Sequence, residues 1–188
     1  MDRKLKKYET IGCCGIDCGL CPRYYTKEDS VCPGCGGLNF KSAHPSCGVL
    51  SCCAVKNGLE ACSGCKDYPC KRFGSESAGY DSFVTHKKMS VNLEDIRNDG
   101  MDRFIERQKV RMAVLNDLLA HHDDGRLKSF YCVCCALLPV EKLLEIQSIA
   151  QKTDRDISPK ERGRQIRQSI TAIADSLGID LQLRKKTK

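Results

Sequence analysis

Cys14-Gly-Ile-Asp-Cys18-Gly-Leu-Cys21, followed after ten residues by Cys32-Pro-Gly-Cys35, is the stretch that decides how this chain folds. A CxxC turn brings two sulfurs to one side of a tight loop, at an approach that suits tetrahedral bonding to a metal. Two such turns at this separation come near the pattern of a zinc ribbon or knuckle pair. Downstream lie Cys47, Cys52, Cys53, a third turn Cys62-Ser-Gly-Cys65, and Cys70 after Pro69. Twelve of the chain's 15 cysteines fall between Cys13 and Cys70.

The same region is poor in the residues that build an apolar core. Counting Leu, Ile, Val, Phe and Met, residues 1–74 hold 12 beyond Met1, whereas residues 75–188 hold 33. Dense cysteine with little aliphatic material points to metal or redox chemistry in place of hydrophobic burial, and a bound structural metal contributes on the order of 10 kcal/mol to such a fold. The sequence therefore predicts a small α+β protein. Residues 11–74 form an irregular, metal-stabilised module with short strands and loops, residues 75–183 a mainly α-helical region, and residues 184–188 a basic tail.

Composition narrows the setting. The 188 residues include no Trp, and 31 Lys and Arg oppose 24 Asp and Glu for a formal +7. Met1 to Tyr8 is mostly charged and offers no apolar signal segment. No apolar run is long enough to span a bilayer. A cytoplasmic location is expected, where thiols stay reduced and clustered cysteines serve metals more than disulfides. Two four-thiolate sites, each with net charge −2, would bring +7 to about +3. The remaining basic excess lies at the C-terminus, in Arg162, Arg164, Arg167 and Arg184-Lys185-Lys186-Thr187-Lys188.

Cys14-x3-Cys18-x2-Cys21 also has the spacing that holds a [4Fe-4S] cluster in radical enzymes. Such enzymes need a β/α barrel, and no alternation of apolar strands with helices occurs here. A plain iron-sulfur cluster on the same thiolates stays open beside zinc, because both accept four sulfurs.

The series Cys14-Gly-Ile-Asp-Cys18-Gly-Leu-Cys21-Pro-Arg-Tyr-Tyr, Cys32-Pro-Gly-Cys35, Cys47-x4-Cys52 and Cys62-x2-Cys65-Lys-Asp-Tyr-Pro-Cys70-Lys-Arg-Phe resembles the cysteine-rich bacterial and archaeal family catalogued as domain of unknown function 3795. Asn92 to Gln108 is similar to that family's helical continuation, so the likeness covers about residues 12–112. It implies a small cytoplasmic metal-binding module with no settled activity. The ligands it implies are Cys14, Cys18, Cys21, Cys32, Cys35, Cys47, Cys52, Cys62, Cys65 and Cys70. The chain departs from the pattern in its additional Cys13 and Cys53 and in its longer helical region. Ten ligands exceed two four-thiolate sites by two, with His44 an outside contributor. Tyr24, Tyr25 and Tyr68 are expected to pack over the metal loops.

From Gly100 the apolar period becomes helical. Met101, Phe104, Ile105, Met112, Leu115, Leu118 and Leu119 mark one face of a helix to about His121, closed by Asp123-Asp124-Gly125. A second stretch, Ser129 to Ala150, restarts at Pro139. A third, Pro159 to Leu177, has Ser158 as N-cap with Glu161 completing a capping box. Cys132, Cys134 and Cys135 sit among apolar neighbours and are expected to be inert buried thiols, with a labile thiol or metal site, near His121 and His122, the alternative.

Three functions follow in order. The first is a protein binding about two Zn²⁺ per chain, the metal mainly structural and the helical half contacting a protein partner or a second copy. The second is an iron-sulfur or thiol redox protein, and the third a nucleic-acid-binding zinc protein using its basic C-terminus. Neither a Ser/His/Asp set, a carboxylate pair, a phosphate-binding Gly loop nor HExxH occurs, so enzyme activity is left undecided.

Overall fold

The structure, a computed structural model, describes residues 3–27, 30–73, 80–154 and 156–185. The chain divides into two compact units, one formed by Met1–Ile105 with Leu183–Lys188, the other by Glu106–Gln182.

The expected α+β architecture does not form. The protein is 57% helical with essentially no strand, and among the described residues the β-type pairing of the cysteine-rich part is an isolated bridge between Ile11 and Asp17. The physical reason lies in the spacing of the turn-formers. CxxC units and glycines recur too often for a ladder to extend, so backbone groups close locally: Cys21 N–H donates to Cys18 O at 3.2 Å and Cys65 N–H to Cys62 O at 2.9 Å. The result is a string of 3₁₀ turns (Cys18–Leu20, Pro22–Tyr25, Cys62–Gly64, Lys71–Phe73) and two short helices, α1 (Phe40–Ala43) and α2 (Gly48–Leu50). Helix α2 runs on into a wider π-type coil over Ser51–Lys56.

Five longer helices follow: α3 (Met89–Asp99), α4 (Met101–His121), α5 (Lys128–Leu137), α6 (Val140–Lys152) and α7 (Pro159–Ser176). Gly100, at φ 86°, separates α3 from α4, and Leu138-Pro139 separates α5 from α6. Ser158 caps α7 by accepting from Glu161 N–H at 3.2 Å. The Glu161 carboxylate accepts from Arg164 and Gln165.

In the first unit the turns do not bury a core alone. Leu93 and Ile96 of α3 and Phe104 and Ile105 of α4 join Ile11, Cys13, Cys35, Phe40, Leu50, Cys53 and Cys62 in one buried cluster. Gly15 lets α3 come this close. It has φ +88°, and a Cβ there would lie 2.2 Å from Met89 O and 2.8 Å from Leu93 Cγ. Asn92 Nδ2 donates to Gly15 O at 2.9 Å across the same contact.

The second unit has a conventional apolar interior, in which Leu115, Leu118, Tyr131, Leu143, Ile146, Ile166 and Ile170 are fully buried. Arg111 Nη1 donates to Cys135 O and Leu138 O, both at 2.7 Å, satisfying carbonyls at the end of α5. Among the described residues no helix is long and apolar enough to cross a membrane. Lys186 to Lys188 of the basic tail lie outside the described residues.

Candidate functional site

All fifteen cysteines are described, and none of them forms a disulfide. The ten spaced cysteines fall into two groups. In the first, Cys18 acts electrostatically with Cys35, Cys14 and Cys21, Cys14 with Cys35 and Cys47, and Cys21 with Cys32. The second group, Cys52, Cys62, Cys65 and Cys70, lines a single cavity of about 30 Å³ together with Cys53.

Local structure accounts for both. The first group hangs on the tight loop closed by Gly12 N–H to Ile16 O at 2.7 Å, and on the Cys35 turn, whose N–H donates to Glu9 O at 2.7 Å. Leu50 N–H donates to Cys47 Sγ at 3.5 Å. The second group is gathered by the π-type coil, which carries Cys52 and Cys53, and by the turn at Cys62–Gly64. Cys62 N–H donates to Cys13 O at 2.8 Å, pinning that turn to the first loop. Val49, Leu59, Tyr68 and Phe73 add apolar walls to the cavity, and Asn57 Nδ2 donates to Cys52 O at 2.7 Å and to Cys52 Sγ at 3.8 Å.

Cys13 and Cys53, the two cysteines outside the family pattern, stand between the groups. Thiol hydrogen bonds join Cys35 to Cys13, Cys13 to Cys53 and Cys53 to Cys62. Sequence reasoning gave these two no role, because their contacts are made by distant parts of the chain.

The interior keeps several of these thiols protonated. The Cys35 hydrogen bond lowers the Cys13 pKa, but the bond to Cys53 and burial outweigh it and push Cys13 up to about 12. The Cys13 hydrogen bond likewise lowers Cys53, which its bond to Cys62 and burial raise to about 12. Burial, helped by Cys35 and Cys47, raises Cys14 to about 11 against an opposing bond from Ile16. Burial also moves Cys18 well above the ordinary thiol range, so a metal entering the first group must displace protons.

One cation lies inside the first unit. Lys6, 4% exposed, donates from Nζ to Ile11 O at 2.5 Å, and its charge lowers the proton affinity of Cys13, Cys18, Cys35 and Cys53. A lysine in a charged N-terminal run reads as solvated, and only chain closure reveals this one as buried.

The other expected contributors take different places. His44 is exposed and stacks on Phe40 at 4.6 Å. Tyr25 Oη donates to Gly19 O at 2.8 Å, and Tyr68 meets the Phe73 ring edge at 4.9 Å at the cavity wall. Cys132, Cys134 and Cys135 are buried within α5. His121 and His122 line a separate cavity of about 110 Å³ with Asp117, Gln151, Thr153 and Arg162.

Among the described residues, no three His, Cys, Asp or Glu side chains meet closely enough to hold one ion as placed. The donor set still suits a thiolate centre, with five thiols around one apolar cavity and a buried cation among the others. No curated protein and no solved structure matches the chain. Residues 10–75 match the model of the family described as "Protein of unknown function (DUF3795)".

Proposed function

We propose that the protein is a metal-thiolate protein, that Cys52, Cys62, Cys65 and Cys70 hold one centre and a subset of Cys14, Cys18, Cys21, Cys32, Cys35 and Cys47 a second, and that the metal is zinc. The observation that carries this reading is the cavity lined by these four thiols and Cys53. A single zinc ion binds sulfur at about 2.3 Å and so draws four sulfurs tightly together. A cavity of about 30 Å³ is close to the volume of one water molecule and suits a single ion. When bound, such an ion holds the surrounding turns together. The chain's own part is to exclude water through Val49, Leu59, Tyr68 and Phe73, and to direct the Asn57 amide at Cys52, the kind of outer contact that tunes a bound centre.

The test is purification without oxygen, with iron, zinc and sulfide measured per chain and the visible spectrum recorded. Colourless protein with about two zinc ions and no sulfide, falling to about one zinc ion in Cys62→Ser/Cys65→Ser, supports the reading. Brown protein containing sulfide overturns the zinc assignment, and metal-free protein overturns the metal-thiolate reading as a whole.

A further inference from the structure

Lys6 is placed where a lysine is expensive. Its backbone neighbour Leu5 donates N–H to Gly36 O at 2.7 Å, and a Cβ at Gly36 would come 3.2 Å from Lys6 Cγ. The Lys6 stem therefore lies over the turn that carries Cys35, while Nζ reaches the Ile11 carbonyl, two residues before Cys13. A buried ammonium with a neutral acceptor is strongly unfavourable unless an anion accompanies it. Among the described residues no ion pair joins Lys6 to a carboxylate, and the nearby Glu9 is taken by Lys4 at 2.5 Å. Its charge acts on the thiols of Cys13, Cys18, Cys35 and Cys53.

We propose that Lys6 is the built-in counter-charge of an anionic metal-thiolate centre in the first group, offsetting the charge that Cys18 and Cys35 acquire on binding metal. This rests on the metal-thiolate reading above. Each S–H loses its proton to solvent as its sulfur-metal bond forms, so a centre of four thiolates with Zn²⁺ or a [4Fe-4S]²⁺ core carries −2, and the neighbouring ammonium brings the local sum to −1. Lys6 is a positioning and tuning residue in this scheme, since no bond to the metal is needed.

The experiment compares full-length wild type with Lys6→Met and Lys6→Arg, all purified without oxygen, for metal and sulfide per chain and for resistance to a chelator. Methionine keeps the stem's packing and removes the charge. Lys6→Met is expected to fall from two centres to about one, or to release its more labile centre at least tenfold faster, and Lys6→Arg to behave as wild type. Helical circular dichroism verifies the fold, and Lys6→Gln replaces Lys6→Met should the latter be insoluble. Equal metal content and equal chelator resistance in wild type and the uncharged variant overturn the counter-charge alone. A metal-free wild type overturns the underlying reading, and this inference with it.

Discussion

Arg184 encloses the carboxylate of Asp81, 103 positions earlier in the chain, with both its backbone and its side chain. Its N–H donates to Oδ2 at 2.8 Å and its Nη2 to Oδ1 at 2.9 Å, and Asp81 N–H returns a bond to Arg184 O at 2.9 Å. Part of the basic tail thus has a fixed place in the first unit. Burial alone would raise the Asp81 pKa, but the Arg184 guanidinium and the backbone N–H groups of Arg184 and His86 outweigh it and hold the carboxyl below 3.8.

Asp81→Asn is expected to cost about 2 kcal/mol at pH 7, through the lost charge-assisted bonds. A carboxylate whose folded pKa is depressed stabilises the fold fully above its unfolded pKa, and that contribution fades as pH falls through the folded value. The melting-temperature gap between wild type and variant should be constant near neutrality and shrink below about pH 4. A gap that widens in acid would contradict the assignment.

Gly15→Ala is expected to destabilise the first unit by about 3 kcal/mol. The methyl has no soft neighbour to displace, since the nearest atom is the Met89 carbonyl oxygen at 2.2 Å, and the backbone sits at φ +88°. Chemical denaturation read by circular dichroism measures the loss. A change within experimental error would mean that α3 docks otherwise.

Cys132, Cys134 and Cys135 should resist alkylation in the native protein and react on unfolding, because all three are buried. Cys134→Ala is expected to cost about 1 kcal/mol and to leave metal content unchanged. Native labelling at any of the three, read by mass spectrometry, would refute this.

Arg111→Met should lower the stability of the second unit by about 2 kcal/mol, since Cys135 O and Leu138 O both lose a charged donor. Thermal unfolding monitored at the helical signal tests it, with Arg111→Lys expected to recover only part of the loss because one ammonium replaces a forked donor.

The long helices were legible in the sequence for local reasons. Period, the Gly100 and Pro139 breaks and the Ser158 cap act within a few residues of one another, so α4 begins at Met101 and α7 at Pro159 as the pattern predicts. The strands expected in 11–74 were a misreading of turn-rich chain that satisfies its backbone locally. Spacing brought cysteines together in neighbouring pairs, but the division into a group of six and a group of four depends on closures such as Cys62 N–H to Cys13 O. Lys6, Cys13, Cys53 and Asn57 carried no signal of their own, because each acquires its setting from residues remote from it.

The shared core of the first unit bears on how this protein can be cut. The stretch matched by the family, residues 10–75, is shorter than the piece that folds, since Leu93, Ile96, Phe104 and Ile105 fill the same interior as Ile11 and Cys62. A fragment ending at residue 75 would present that interior to water along the side that α3 closes, with Gly15 facing an empty groove. An expression fragment intended to keep the thiols in place has to reach at least Ile105, about 30 residues beyond the boundary drawn by sequence likeness, and it would still lack the Arg184 clasp on Asp81 that belongs to the same unit.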